Sequence, residues 1–423
     1  MHSGEPRERE ATVLVGLAHG GTTRTEVEDH LDELGRLVDT AGGEVVARLL
    51  QERRTPDPAT LVGSGFIGRI ETACRETGAR TVVFDEDLTA SQARNLERAL
   101  PEDVKVLDRA GVILDIFAQR ARSREAQTQV ELAQLTYLLP RLTRRWGHLS
   151  RQAGGIGTRG VGETQLEIDR RLVTRRIAML RRKLAEIESS RRLRRQRRTA
   201  APTVALVGYT NAGKSSLFHR LTRARVRVED RLFATLDPRA RRTVLGDGVK
   251  VIFTDTVGFI RKLPHDLVAP FRSTLEEAAE ADLVLHVVDA AHPSWEEHLR
   301  VGDEVLESLG VEPDRVVVVL NKMDLVGERR PRRLLRAGLP VSAVTGEGLD
   351  DLKRLVRTKL LGAPGVAVLT IPLTETGAVE RACALPHQVA RRFGRETVTL
   401  AVRIREGGLK EADLERYRVE AWA

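Results

Sequence analysis

Cysteine is almost missing from this chain: Cys74 and Cys383 are the only two in 423 residues, far apart and without metal-binding spacing. That excludes a disulfide framework and a cysteine zinc site. Long apolar runs are missing too. The longest, Val316–Leu320, falls far short of the ~20 residues that a membrane-spanning helix needs. The opening stretch MHSGEPRERE is charged where a secretion signal requires apolar residues. Internal repeats and low-complexity segments do not stand out. These absences lead to the expectation of a soluble, cytoplasmic chain with no integral membrane segment.

What is present describes a globular protein. Hydrophobic residues make up 41% and charged residues 30%, outside the range of disordered or fibrous chains. At roughly 150 residues per domain, the length predicts about two to four domains. The charge is unevenly placed. Of a net +9, the stretch Arg141–Arg198 holds 18 Lys and Arg against 5 Asp and Glu, a local +13 that leaves the remainder at −4. Arginine outnumbers lysine there 17 to 1. A guanidinium offers a planar fork to phosphates and a face to bases, so this stripe points to RNA rather than to a merely solvated face.

Residues 11–118 alternate strand and helix. Apolar runs at Thr12–Leu17, Glu44–Leu50 and Thr81–Phe84 predict strands, with helices over Glu26–Thr40, Phe66–Glu76 and Ser91–Leu100. The alternation predicts a small parallel-sheet domain. Gly63-Ser64-Gly65 ahead of a helix reads as a tight turn, with an anion site as the alternative.

From about Gln119 the pattern is helical. Leu132, Leu135, Leu139 and Leu142 are spaced by threes and fours, and Leu166, Val173, Ile177, Leu180, Leu184 and Ile187 continue the rhythm after a break. These predict two helices packed as an antiparallel, highly charged hairpin arm. The break, 154–163, is dense in glycine. It fits either a turn between helices or a loop whose backbone approaches nucleic acid, with Gly157, Arg159, Gly160 and Gly162 as contacts. Trp146 either stacks on a base or caps the hairpin. Arg191–Ala200 reads as a basic linker, and Pro202 marks a boundary.

The chemistry begins after the strand-like run Thr203–Val207. Gly208-Tyr209-Thr210-Asn211-Ala212-Gly213-Lys214-Ser215 fits the phosphate-loop pattern G-x-x-x-x-G-K-[ST] at every fixed position. Backbone N–H groups wrap the β-phosphate, Lys214 reaches the β- and γ-phosphates, and the Ser215 hydroxyl is placed for Mg²⁺. Ser216 follows in the same loop-to-helix turn. Asn321-Lys322-Met323-Asp324 ends the strand Val316–Leu320 and predicts guanine as the base. A carboxylate at Asp324 accepts from guanine N1–H and the 2-amino group, whereas adenine offers neither donor. Lys322 would lie along the base and Asn321 would tie this loop to the phosphate loop. Ser342 and Ala343 form a second recognition loop, with the Ala343 N–H directed to guanine O6.

Between the two, Val249–Thr254 predicts a strand ending in Asp255-Thr256-Val257-Gly258-Phe259. Asp255 is expected to hold Mg²⁺ through water and Gly258 to sense the γ-phosphate. Upstream, Phe233 and Thr235 mark the first switch, with Thr235 closing on Mg²⁺; Thr222 and Thr243 lie in the same region as alternatives. Lys214, Gly258 and Thr235 are therefore the expected catalytic set. Phe259 stands where many GTPases carry the glutamine that orients the attacking water. Hydrolysis is expected to be slow until a partner reorganises the site. His286 reads as a core residue and His265 as a weaker partner contact.

With these motifs in place, the chain resembles the HflX family of bacterial GTPases. Asp255–Glu277 (DTVGFIRKLPHDLVAPFRSTLEE) is similar to that family's switch segment, and 157–167 (GTRGVGETQLE) to its glycine-rich loop, with Val161 where proline is expected. Val83-Phe84-Asp85 and Gln92–Glu97 resemble its N-terminal domain. The resemblance implies a GTP- and GDP-binding, Mg²⁺-dependent protein that associates with the large (50S) ribosomal subunit and its RNA. It also implies action in splitting or rescuing ribosomes under stress, or in their biogenesis. The family has been linked to ATP hydrolysis in the N-terminal domain, but no second phosphate loop is present.

The expected fold is α/β. A P-loop GTPase domain with a mostly parallel sheet and flanking helices spans 200–362, and an N-terminal α/β domain spans 1–118. The helical-hairpin arm covers 119–199 and a small α+β domain 363–423. There, strands Val366–Pro372 and Thr397–Ile404 flank a helix over Ala378–Arg392 that Pro386 should break or kink. The chain is expected to act as a monomer. The alternative function is a GTP-dependent switch acting on a protein partner or a non-ribosomal RNA. An RNA-modifying enzyme lacks support, because neither a cofactor loop nor a cysteine nucleophile is recognisable.

Overall fold

The computed structural model describes residues 9–142, 165–196, 201–223, 232–233, 236, 239–261, 277–327, 331–363, 366–385, 387–403, 409, 412–420 and 422. The described residues fall into two compact units that divide between Ile187 and Glu188.

The first unit is built on four parallel strands: β1 (Glu10–Ala18), β2 (Gly43–Glu52), β3 (Thr81–Phe84) and β4 (Lys105–Asp108), in the order β2-β1-β3-β4. Helices α1 (Arg24–Ala41), α2 (Ser64–Thr77) and α3 (Ala90–Ala99) connect them. Capping boxes start two of these helices, Thr23 with Glu26 and Thr89 with Gln92, satisfying backbone donors that would otherwise lack partners. Val13 and Val15 on one face of β1 and Leu14 on the other are buried, as are Val82, Val83 and Phe84 of β3, as expected of strands covered on both faces. Gly63 caps α2 in an extended conformation, its N–H donating to Gln51 Oε1 at 3.0 Å, and Ser64 and Gly65 lie within the helix rather than in a separate tight turn.

Two elements were not legible as such. β4 and α4 (Arg109–Arg120) occupy a stretch in which helix was expected only from Gln119. Eight of the twelve residues of α4 are buried, six of them in one unbroken run from Arg109 to Leu114, so its start lacks the alternation that reveals a surface helix. Its first residue, Arg109, is fully buried between Asp85 (2.7 Å) and Glu33 (2.8 Å). α5 (Arg124–Leu138) and α6 (Gln165–Gln196) complete the helical segment. Ile177 and Leu180 of the apolar seam are buried, and Arg176 forms a forked pair with Glu131 of α5 at 2.6 and 2.9 Å. α6 continues through Gln196, which corrects the reading of Arg191–Ala200 as a linker. Arginine favours helix, and no proline or glycine stops the run.

The second unit holds a six-stranded sheet: β5 (Thr203–Gly208), β6 (Arg239–Val244), β7 (Lys250–Asp255), β8 (Leu283–Asp289), β9 (Val316–Asn321) and β10 (Leu339–Pro340). Its order is β10-β9-β8-β5-β7-β6, parallel throughout except for the edge strand β6. Helices α7 (Lys214–Thr222), α8 (Trp295–Ser308), α9 (Arg332–Ala337) and α10 (Leu349–Leu361) accompany it. Leu206, Phe253, Leu285, Val287 and Val319 form its core, so the carboxyl ends of β5, β7 and β9 emerge from a rigid platform.

A four-stranded antiparallel sheet follows, with β11 (Val366–Pro372), α11 (Thr376–Ala384), β12 (Gln388–Phe393), β13 (Thr397–Arg403) and β14 (Arg418–Val419). The helix expected over Ala378–Arg392 ends at Ala384 instead, and β12 replaces its second half. Leu385, preceding proline, is extended (φ −56°, ψ 133°), the conformation that proline imposes on its neighbour. Val389 and Ala390 of β12 are buried in the core of the larger sheet. Among the described residues, no helix is long and apolar enough to cross a membrane.

Candidate nucleotide-binding site

β5 delivers the phosphate loop. At its end Gly208 takes φ +141°, and a side chain there would collide with the Val287 carbonyl of β8. Gly213 (φ +89°) precedes α7 and faces the Asn321 amide so closely that a Cβ would clash. Both positions require glycine on conformation and on space. Lys214 opens α7 and folds back over the loop, its Nζ donating to the carbonyls of Gly208 (3.0 Å) and Tyr209 (2.8 Å). Burial pushes its ammonium down to about 8, with Asp255 partly opposing the shift.

Ser215, Lys214 and Asp255 meet at the ends of β5 and β7. The Ser215 hydroxyl donates to Asp255 Oδ2 at 2.7 Å, and Asp255 is fully buried. A hydroxyl beside a carboxylate is an oxygen-only donor set, the chemistry that suits a hard cation such as Mg²⁺. Gly258 passes directly over this corner: a Cβ on it would lie 2.8 Å from Thr210 Cα and 2.9 Å from Lys214 Nζ. Ser216 is half-buried in the first turn of α7. Phe233 is buried with φ +54°, whereas Thr235 lies outside the described residues. So do Gly157, Arg159, Gly160 and Gly162, Trp146 and His265.

The stretch after Asp255 is attached to the phosphate loop like a short added strand. Phe259 N–H donates to Gly208 O (2.9 Å), and Thr210 N–H donates to Phe259 O (2.7 Å). Arg261 N–H then donates to the Tyr209 hydroxyl (2.8 Å), and its guanidinium pairs with Glu297 of α8 at 2.7 Å. Tyr209 stacks flat on His298, with ring centroids 3.8 Å apart and planes at 8°. This clamp of Tyr209, Arg261, Glu297 and His298 was invisible in the sequence, because nothing about residues 209 and 298 signals that they meet.

At the base-recognition end, Asn321 ties two loops together. Its amide donates to Ala212 O (2.9 Å), and its Oδ1 accepts from Ala343 N–H (3.1 Å). The Ala343 N–H, expected to face a guanine O6, is therefore engaged by Asn321 in this structure. Lys322 adopts φ +63° and pairs with Asp289 at 2.7 Å. The exposed Asp324 accepts from the Ser342 hydroxyl at 2.5 Å, which aims its carboxylate. His286 is fully buried against Gly302 of α8 and bonds Asp303 at 3.1 Å, a core residue.

Fold and site together define a guanine-nucleotide hydrolase of the P-loop class. Residues 203–322 match the family described as 50S ribosome-binding GTPase, residues 28–118 the GTP-binding GTPase N-terminal family, and residues 120–198 the GTP-binding GTPase Middle Region. "GTPase HflX" of Magnetococcus marinus is 44% identical over 96% of this chain and 96% of its own length. The protein of that name from Caldanaerobacter subterraneus is 47% identical over 88% and 85%. That of Escherichia coli K12 is 45% identical over 85% of each chain. A solved GTP-binding protein from Sulfolobus solfataricus, in complex with GDP, aligns at 24% identity and TM-score 0.44 over 82% of this chain and 98% of its own. The chain belongs to the HflX family of GTPases; it binds GTP and hydrolyses it.

Proposed function

We propose that this GTPase associates through its GTP-bound state with the large ribosomal subunit, where it acts in splitting, rescuing or assembling ribosomes. The observation that carries the reading is the junction of Lys214, Ser215, Asp255 and Gly258 at the carboxyl ends of β5 and β7. Supporting it are the match of residues 203–322 to ribosome-binding GTPases and the +13 charge of 141–198. In this reading, 208–216 cradle the phosphates, Phe233 flanks the nucleotide, and Asn321, Lys322, Asp324, Ser342 and Ala343 select guanine. Ser215, Asp255 and Thr235 would hold Mg²⁺, which when bound neutralises charge on the β- and γ-phosphates. The Ala343 N–H reaches a base only by leaving Asn321. Lys214 exchanges a loop carbonyl for phosphate oxygens, and Gly258 N–H meets the γ-phosphate. The side chain of Phe259 has no group with which to orient water, so the partner must supply that step.

The test is single-turnover hydrolysis with and without purified large subunits, run beside co-sedimentation. Stimulation by subunits is expected for the full chain. Deletion of Ala153–Gly162 is expected to spare nucleotide binding and weaken co-sedimentation. A fast rate that no subunit changes, or co-sedimentation untouched by the deletion, would overturn the reading.

A pH effect follows from Lys214. The charged form that meets phosphate is complete below about pH 8 and lost above it. A bound triphosphate favours that form, so binding takes up a proton above about pH 8. Affinity for a non-hydrolysable GTP analogue is expected to fall by up to about tenfold per pH unit there, in proportion to the protons taken up. Calorimetry in buffers of different ionisation heat would read the proton directly, and a flat profile would contradict the assignment.

A further inference from the structure

Both halves of the Tyr209–Arg261 clamp end on one helix, and that helix is firmly seated. Trp295 and Leu306 of α8 are buried, and Gly302 lies so close to the fully buried His286 ring of β8 that a side chain would clash. His286 Nδ1 lies 3.1 Å from Asp303 of the same helix. The first turn of α8 is therefore a fixed support, the kind of element on which a site can be held precisely. Two adjacent residues of that turn reach the nucleotide-binding segments. His298 stacks on Tyr209 of the phosphate loop, with ring centroids 3.8 Å apart and planes at 8°. Glu297 holds the Arg261 guanidinium at 2.7 Å.

We propose that His298 is a positioning residue for GTP hydrolysis, acting by fixing the Tyr209 hydroxyl as the anchor of residues 258–261. The linkage is short. Tyr209 Oη accepts from Arg261 N–H at 2.8 Å, and two backbone bonds tie Phe259 to Gly208 and Thr210. The backbone bonds hold the middle of this stretch, and the hydroxyl holds its end. A phenol ring can swing between rotamers unless its faces are packed. The stack removes that freedom, since Tyr209 is 4% and His298 8% exposed and the His292 ring approaches His298 at 4.4 Å. The Arg261–Glu297 pair is weaker support: its carboxylate is 38% exposed, and such pairs contribute little. Gly258 adjoins the anchored stretch, its Cβ position 2.9 Å from Lys214 Nζ. A displacement of about 1 Å at residues 259–261 would draw its N–H away from the γ-phosphate, and misplacements of that size cost rate. If the stack were only packing, its loss would loosen the phosphate loop and weaken every nucleotide alike.

This role rests on the reading that Gly258 N–H meets the γ-phosphate, so Gly258→Ala is measured beside it. Single-turnover GTP hydrolysis and calorimetric GDP affinity are compared on the full chain. The variants are His298→Ala, His298→Phe, Tyr209→Phe and the double variant Tyr209→Phe/His298→Ala. His298→Ala is expected to slow hydrolysis about tenfold with GDP affinity within about twofold, a fraction of the ~10²–10³ that complete loss of such a donor costs. His298→Phe keeps a ring for the stack and should recover most of the rate. Tyr209→Phe keeps the ring but removes the acceptor, so it should slow hydrolysis by about the same factor as His298→Ala. Both substitutions break one linkage, so the double variant should be about tenfold slow and not about a hundredfold.

A wild-type rate in His298→Ala would overturn the role, and so would a parallel fall in GDP affinity, which marks loop packing alone. Failure of His298→Phe to recover the rate, or additive losses in the double variant, would separate His298 from the Tyr209 hydroxyl and overturn it equally. If His298→Ala does not fold, Tyr209→Phe decides: a tenfold loss at unchanged GDP affinity supports the role, and a wild-type rate defeats it. A slow Gly258→Ala beside a wild-type His298→Ala defeats the positioning role alone. A wild-type rate in Gly258→Ala removes the γ-phosphate reading, and the role of His298 falls with it.

Discussion

Replacing Asp324 with asparagine is expected to lower GTP affinity by about a thousandfold and to redirect the site toward xanthosine triphosphate. The carboxylate, aimed by the 2.5 Å bond from Ser342, can accept from both guanine N1–H and the 2-amino group. Each hydrogen bond to a charged group contributes ~1.5–3 kcal/mol, so losing both corresponds to about 3–6 kcal/mol, or roughly 10²–10⁴ in affinity. Asparagine presents one acceptor and one donor. Its N–H₂ repels the guanine 2-amino group and matches the carbonyl that xanthine carries at the same carbon. Ser342 can donate to the asparagine carbonyl, so the loop should hold its shape. Calorimetric titration with both triphosphates checks this, and undiminished GTP affinity would remove Asp324 from base selection.

Gly258→Ala is expected to have the second largest effect, about a hundredfold loss in single-turnover hydrolysis with GDP affinity changed only a few-fold. The added methyl would sit 2.8 Å from Thr210 Cα and 2.9 Å from Lys214 Nζ, closer than non-bonded atoms tolerate. Backbone on the Thr210 side cannot yield, so the stretch after Asp255 must move away from the phosphate corner. That withdraws one N–H donor from a transition state in which charge spreads over the γ-phosphoryl oxygens, and loss of such a donor costs ~10²–10³ in rate. GDP lacks the γ-phosphate and should bind nearly as before. Equal losses for GDP and for hydrolysis would mean that the substitution disrupts the loop generally.

Much of this protein is legible without coordinates wherever the signal is local. Gly208, Gly213, Lys214 and Ser215 stand at the fixed spacing of the P-loop pattern, which one short strand-to-helix turn sets. The strand Val316–Leu320 and the Asn321–Asp324 turn are legible because a buried parallel strand reads as an unbroken apolar run. Signals failed where burial or tertiary packing decided. α4 hid because its first six residues are all buried, which leaves no polar alternation at its start. β12 read as helix because Pro386 limits the helix without declaring that a strand follows, and only the sheet core beneath Val389 and Ala390 does so.

The sequence by itself determined the class of protein, a P-loop GTPase, through the spacing of Gly208–Ser215, the turn Asn321–Asp324 and the run Asp255–Phe259. These depend on residue type and short-range order, which survive being written as a line. Only the tertiary structure decided that Tyr209 stacks on His298, that Arg261 joins Glu297 to the phosphate loop, and that three arginines share an edge strand open on both faces. The physical reason is that a stacked pair 89 positions apart, like an exposed strand edge, exists only once the sheet order has brought distant segments together or left one unpaired.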